Sequence, residues 1–210
     1  MFFIKEIFKS IQGEGFFLGK SAVFVKFNGC NLWNGLVKDR ENALCQFCDT
    51  DFLGTNGQNG GYYSLNDLLN KIDKIWNQKK LTNNKFIVLT GGEPMLQVNK
   101  KLVESLKKRG YFVSVETNGT IQFDIDFDWV CVSPKQRTEW KVISGDELKV
   151  IFPQQAFDLN MLKKLNFKYF FLQPMDNNKK QINIWNTINY CKSHKPWFPS
   201  FQLHKSLNIS

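Results

Sequence analysis

The chain lacks any apolar run that approaches the roughly 20 residues of a membrane-spanning helix. Its start, Met-Phe-Phe-Ile-Lys-Glu, meets charge too early for the apolar stretch of a secretory leader. Arginine is scarce, with only Arg40, Arg109 and Arg137 beside 25 lysines, so the formal net charge of +9 rests on lysine. A nucleic-acid surface favours arginine gathered on one face. Here the lysines fall in scattered doublets such as Lys79-Lys80, Lys100-Lys101 and Lys163-Lys164, and 21 asparagines accompany them, which reads as a solvated surface shaped by compositional drift. Such a surface would still steer an acidic partner protein or an anionic ligand. Histidine occurs only at 194 and 204. Five cysteines, an odd number with two in a Cys-x-x-Cys, do not read as a disulfide framework in a chain of this size, and a reducing, cytoplasmic compartment is expected. Internal repeats and low-complexity tracts are absent.

What is present supports one packed domain over residues 1–210: hydrophobic residues make up 42% and aromatics 15%. Strands are expected at Phe2 to Phe8, Ala22 to Phe27, Phe86 to Thr90, Tyr111 to Val115, Trp129 to Val132, Glu147 to Phe152, Tyr169 to Leu172 and Trp197 to Leu203. Between them, Leu65, Leu68, Leu69, Ile72, Ile75 and Trp76 recur at helical spacing after the N-cap candidate Ser64. Leu102, Val103 and Leu106 mark a second helix closed by Gly110, and weaker helices are expected at Phe157 to Leu165 and Ile182 to Cys191. Alternating strands and helices imply a parallel sheet. Every polar motif follows a predicted strand, the arrangement that gathers functional groups on one face of a β/α barrel. At 210 residues the chain is short of the roughly 250 of a full barrel, so the expected fold class is α/β, a partial, open TIM-like barrel of about six β/α units.

Cys30, Cys45 and Cys48 stand in one loop, with fourteen residues between the first two and two between the last pair. A structural zinc site closes with four protein ligands, whereas three thiolates on a cubane iron-sulfur cluster leave one iron open. A zinc knuckle, completed by Cys131, Cys191, His194 or His204, is the competing reading of the Cys-x-x-Cys. Cys131 falls mid-strand and Cys191 on a helix face, where a buried, inert thiol is usual. Gly91 and Gly92 would let backbone approach a ligand closely. Lys135 can pair with a carboxylate, and Glu116 can accept hydrogen bonds from ribose hydroxyls.

With these residues the chain resembles the radical S-adenosylmethionine superfamily and, within it, the 7-carboxy-7-deazaguanine synthase family. The resemblance rests on Gln12-Gly-Glu-Gly15, Gly29-Cys-Asn-Leu-Trp33, Phe47-Cys-Asp-Thr-Asp-Phe52, Thr90-Gly-Gly-Glu-Pro94, Glu116-Thr-Asn-Gly119, Ser133-Pro-Lys135, Gln173-Pro-Met-Asp176 and Gln202 to Lys205. The long first cysteine spacing is a variant within that family. The resemblance implies a 4Fe-4S cluster on Cys30, Cys45 and Cys48, with S-adenosylmethionine on the fourth iron. It implies cofactor binding by Phe47, Cys48, Asp49, Gly92 and Glu116, by Ser133, Pro134 and Lys135, and by Gln173, Pro174, Met175 and Asp176. Thr50 would hold a magnesium ion, a hard cation that takes oxygen ligands. Substrate would meet Ile11, Gln12, Gly13, Lys26, Thr90, His204 and Ser210. Two of these depart from the family pattern: Lys26 replaces an arginine and loses its planar grip on a carboxylate, and Ser210 replaces a proline.

The implied activity is a lyase reaction. An electron from a flavodoxin-like or ferredoxin-like donor leads to a 5′-deoxyadenosyl radical, which takes a hydrogen from 6-carboxy-5,6,7,8-tetrahydropterin, and ring contraction with loss of ammonia gives 7-carboxy-7-deazaguanine for queuosine-type 7-deazapurine synthesis. No catalytic residue is implied beyond the cofactor radical, and a homodimer is implied, with no membrane and no direct nucleic-acid contact. The competing functions are a radical activase acting on a partner protein and a basic zinc-binding RNA module.

Overall fold

Phe2, Ile4, Ile7 and Phe8 drive the first strand, β1 (Phe2–Ile11), into the interior, and a bulge between Ile4 and Glu6 re-aims the intervening Lys5. The computed structural model describes residues 1–77, 84–154 and 157–208. β1 pairs antiparallel with β2 (Ser21–Phe27) and with a short edge strand, β3 (Gly61–Tyr63), which the turn-rich sequence there does not announce. Next come α1 (Leu65–Asn77), β4 (Lys85–Gly91), α2 (Lys100–Lys108), β5 (Tyr111–Thr117) and β6 (Trp129–Val132). β7 (Ser144–Phe152), α3 (Leu159–Leu162), β8 (Asn166–Pro174), α4 (Lys180–Ser193), β9 (Trp197–Pro199) and α5 (Leu203–Leu207) complete the order. One nine-stranded sheet runs β3-β1-β2-β4-β5-β6-β7-β8-β9, and every neighbouring pair from β2 to β9 is parallel.

The sheet is covered on both sides, which is why its central strands read as continuous apolar runs. Outside, Leu68, Ile72 and Trp76 of α1 and Leu102 and Leu106 of α2 pack with Ile87, Leu89, Val113 and Val115. Inside, at the strands' N-terminal ends, the β1–β2 loop supplies an aromatic plug. Phe16 lies 4.9 Å from Trp129 and 4.3 Å from Tyr169, and Phe17 lies 4.9 Å from Phe86 and 5.6 Å from Phe112. The barrel is thus closed at one end and open at the other.

Two expectations are corrected. The crossovers β5–β6 and β6–β7 contain no helix, so the regular β/α alternation is interrupted. In the first, Ile121, Phe123, Ile125 and Phe127 alternate with polar residues and pack on the core, so a period-2 segment does the covering that a helix does elsewhere. The last strand ends at Pro199, not Leu203. Proline has no ladder donor, Ser200 N makes a last bond to Leu172 O at 2.8 Å, and Leu203 N turns to Gly13 O at 3.0 Å. His204 and Lys205 therefore sit on α5, which packs against the β1–β2 loop and bridges the gap between the sheet's two sides. Among the described residues no helix is long and apolar enough to cross a membrane.

Candidate active site

The open end of the barrel holds a cavity of about 420 Å³, within the range of small-molecule sites. Its rim is the cysteine loop and the C-terminal ends of the parallel strands, and α5 forms one side. Cys30, Cys45 and Cys48 all line it.

The cysteine loop folds on a small core of its own. Leu32 and Trp33 are buried, and Trp33 meets the buried Phe52 edge-on at 5.6 Å. A 3-10 turn at Val37–Asn42 reverses the chain, and Cys45 N returns to Leu32 O at 3.3 Å. Arg40 Nη1 donates to the carbonyls of Cys48 at 2.8 Å and Gln46 at 3.2 Å. The Cys45 thiol donates to Cys48, which lowers Cys48 to about 6 and pushes Cys45 far up; burial raises Cys30. Burial also holds Cys131 and Cys191 as protonated thiols, Cys191 at about 11, and neither lines the cavity. His194 is exposed and stacked on Tyr190, 4.0 Å between ring centres.

Behind the loop stands Glu93, fully buried, whose carboxylate accepts from Met95 N at 3.0 Å, Thr117 Oγ1 at 2.7 Å and Asn118 N at 2.7 Å. Burial outweighs these bonds and raises its pKa. Glu93 N donates to Gly29 O at 2.9 Å, and Asn118 Nδ2 to Asn31 Oδ1 at 3.0 Å, so the ends of β4 and β5 are tied to the start of the cysteine loop. A Cβ on Gly92 would stand 1.9 Å from Gly29 O, so only glycine permits this approach.

The cavity floor is a buried polar layer. Lys149 Nζ meets Glu14 Oε2 at 2.6 Å and Glu116 Oε1 at 3.8 Å. Burial alone would lower Lys149 and raise Glu14, but the charges of Glu116 and Glu14 raise Lys149 and the charge of Lys149 lowers Glu14, so the pair stays ionised. Glu116 also accepts from Gln12 Nε2 at 2.9 Å and Thr90 Oγ1 at 3.2 Å. Lys26 is paired with Glu6 at 2.7 Å, and Lys135 Nζ donates to Ser133 O at 2.6 Å and Oγ at 2.7 Å. Lys205 bridges Asp49 and Asp176. Burial lowers His204, which leaves its imidazole neutral near pH 7.

Of the residues expected at a site, Ile11, Gln12, Gly13, Lys26, Phe47, Asp49, Thr50, Thr90, Gly92, Glu116, Ser133, Lys135, Gln173, Pro174, Asp176 and His204 line this cavity with the three cysteines. Pro134 and Met175 do not; Pro134 is buried beneath the Ser133–Lys135 turn, and Met175 offers its carbonyl to Asn183 at 2.8 Å. Ser210 lies outside the described residues. Sequence reasoning missed Glu14, Asn118, Lys149, Gln202 and Lys205 as lining residues. Alternation would have found one of them: Glu147, Lys149 and Ile151 share the inner face of β7 between the outward Leu148 and Val150. Among the described residues, no three or more His, Cys, Asp or Glu side chains converge on a point suited to a single metal ion.

No protein-family model matches the chain. Among curated proteins it is 46% identical over 207 residues to the 7-carboxy-7-deazaguanine synthase of Burkholderia multivorans, covering 98% of both chains. It is also 46% identical over 207 residues to that of Bradyrhizobium diazoefficiens, again covering 98% of each, and 31% identical to that of Haemophilus influenzae over 99% of this chain and 94% of the relative. Among solved structures it is similar to QueE from Escherichia coli, with a TM-score of 0.72 and 26% identity over 97% of this chain and 94% of that one. A half-open barrel with its three loop cysteines on a single cavity, matched end to end by these relatives, belongs to the 7-carboxy-7-deazaguanine synthase family.

Proposed function

We propose that the cavity converts 6-carboxy-5,6,7,8-tetrahydropterin to 7-carboxy-7-deazaguanine with loss of ammonia, as a radical S-adenosylmethionine lyase. The observation that carries this is the meeting of three loop cysteines, a glycine cradle and a carboxylate-rich floor in one cavity. The donor set fits a cluster. Thiolates on a polynuclear centre each take a different iron and need not converge on one point, as ligands of tetrahedral zinc must.

Cys30, Cys45 and Cys48 would hold the 4Fe-4S cluster, and Phe47, Asp49, Gly92, Glu116, Ser133, Lys135, Gln173, Pro174 and Asp176 would hold S-adenosylmethionine. Together these groups supply one-electron chemistry able to remove a hydrogen atom from the substrate. Lys135, pinned by Ser133, would present its ammonium to the cofactor carboxylate. Gln12 and Thr90 fix Glu116 from two sides, so it can accept hydrogen bonds without rotating. Lys26 exchanges Glu6 for the substrate carboxylate, and the neutral His204 offers a hydrogen bond without adding charge. Thr50 would give a magnesium ion one hydroxyl ligand. The Phe16–Phe17 plug closes the barrel's far end and keeps water out of the cavity from that side.

Five free cysteines fit a reducing cytoplasm, and a small flavodoxin-like or ferredoxin-like protein would supply the electron. The test is an anaerobic reaction of purified protein with dithionite, S-adenosylmethionine, magnesium and the carboxypterin, followed by mass. Product, 5′-deoxyadenosine and ammonia are expected. Cofactor cleavage without consumption of the pterin would overturn the substrate assignment.

A further inference from the structure

The fourteen residues between Cys30 and Cys45 pose a mechanical problem, because a loop of that length costs conformational entropy to hold its ends in register. Arg40 sits in the middle of the insertion and reaches across it. Its guanidinium lies 4.1 Å from the Trp33 ring centre, and Nη1 donates to the Cys48 and Gln46 carbonyls at 2.8 and 3.2 Å. Of the acidic neighbours in sequence, Asp39 accepts from Asn34 Nδ2 at 2.6 Å, and Glu41 accepts from Gln46 Nε2 at its backbone carbonyl. Among the described residues no carboxylate forms an ion pair with Arg40, and its hydrogen bonds go to carbonyls of the cysteine loop.

We propose that Arg40 is a positioning residue for the metal centre: it clasps the long cysteine loop shut so that Cys45 and Cys48 are held ready as ligands, and it brings a positive charge into the loop that carries the centre. The proposal rests on the cluster reading of the three cysteines. Its chemistry is that of a planar cation, which stacks on an indole while donating to carbonyls. A positive charge near an iron-sulfur centre favours the reduced, more negative state and so raises the reduction potential.

The test compares full-length wild type, Arg40→Gln and Arg40→Lys. The metal-free proteins are alkylated anaerobically with iodoacetamide, and Cys45, only 4% exposed, is followed by peptide mass. In Arg40→Gln it should react about tenfold faster or more, the change in loop opening that loss of a charge-assisted hydrogen bond brings. The thermal midpoint should stay near wild type, because the clasp holds a surface loop rather than the core. After reconstitution, Arg40→Gln should bind less iron and sulfide, and its centre should titrate at a lower potential. Arg40→Lys keeps the charge but loses the planar stack, so it should recover the potential and only part of the Cys45 protection.

An Arg40→Gln protein with wild-type Cys45 reactivity, metal content and potential overturns the proposal. A wild-type protein that takes up no iron or sulfide removes the cluster reading and the proposal with it.

Discussion

Lys149→Met should unfold the protein more easily, and by an amount that depends on pH. In the native protein Lys149 is 4% exposed and stands between Glu14 at 2.6 Å and Glu116 at 3.8 Å. Methionine fills similar volume but leaves two carboxylates on the buried floor of the cavity with no cation. Removing one partner of a buried ion pair costs roughly 3–5 kcal/mol, a large share of a stability of about 5–15 kcal/mol. For a chain of this size each kcal/mol moves the melting midpoint by about 2–4 °C, so a drop of roughly 6–20 °C is expected near pH 8.

The sign of the pH dependence follows from Glu14. In the wild type its pKa is held below the ordinary value, so the pair contributes at full strength above about pH 4.3 and is lost only as pH falls through the lowered value. In the variant, burial outweighs the remaining hydrogen bond from Gln202 and raises it, so the penalty grows as pH rises above about 4.3 and shrinks as the stranded carboxylate takes a proton. Melting of metal-free protein by circular dichroism at pH 5 and pH 8 should show the smaller deficit at pH 5. Glu14→Gln added to Lys149→Met should recover part of the loss. A deficit equal at both pH values and unchanged by the second substitution would refute a stranded charge as the cause.

Gly92→Ala should cost about 1–3 kcal/mol in urea melts, because its methyl meets the Gly29 carbonyl, and should abolish S-adenosylmethionine binding by calorimetry. Asp73, which burial alone would raise, is held below the ordinary range by Arg109 at 2.6 Å, Tyr111 at 3.0 Å and Lys85 at 3.2 Å. Its contribution is present above about pH 3.9 and disappears as pH falls through the lowered value. Asp73→Asn should therefore cost about 1–3 kcal/mol at pH 7 and progressively less as pH falls through that lowered value. Lys26→Ala should raise the KM for the pterin by roughly tenfold or more while leaving substrate-free cleavage of S-adenosylmethionine near wild type; equal loss in both would argue against a substrate role.

Most of the fold could be read from periodicity, because α1, α2 and β4 bury what their spacing says they bury. The strand-end motifs were equally legible, since each polar cluster follows an apolar run and the sheet gathers those ends around one cavity. Long-range pairing hid the rest. Alternation puts Lys149 on the inner face of β7, but nothing near it in sequence says that Glu14, 135 residues away, makes its burial tolerable. α4 misleads in the other direction. It buries Asn183 and Thr187 while Ile182 and Trp185 are 60% and 66% exposed, because Asn183 Nδ2 is needed by Met175 O and Asn177 Oδ1 at the end of β8. Lys205 was quoted within a motif, but its bridge from Asp49 to Asp176 depends on the early end of β9, which the sequence does not mark.

The account turns on what the three loop cysteines bind. Iron and acid-labile sulfide should be counted after anaerobic reconstitution, with an electron paramagnetic resonance spectrum of the dithionite-reduced protein before and after S-adenosylmethionine. About four irons and four sulfides per chain, a spectrum that changes on adding the cofactor, and loss of both in Cys30→Ala are the predicted result. A colourless protein carrying zinc and no sulfide would contradict it.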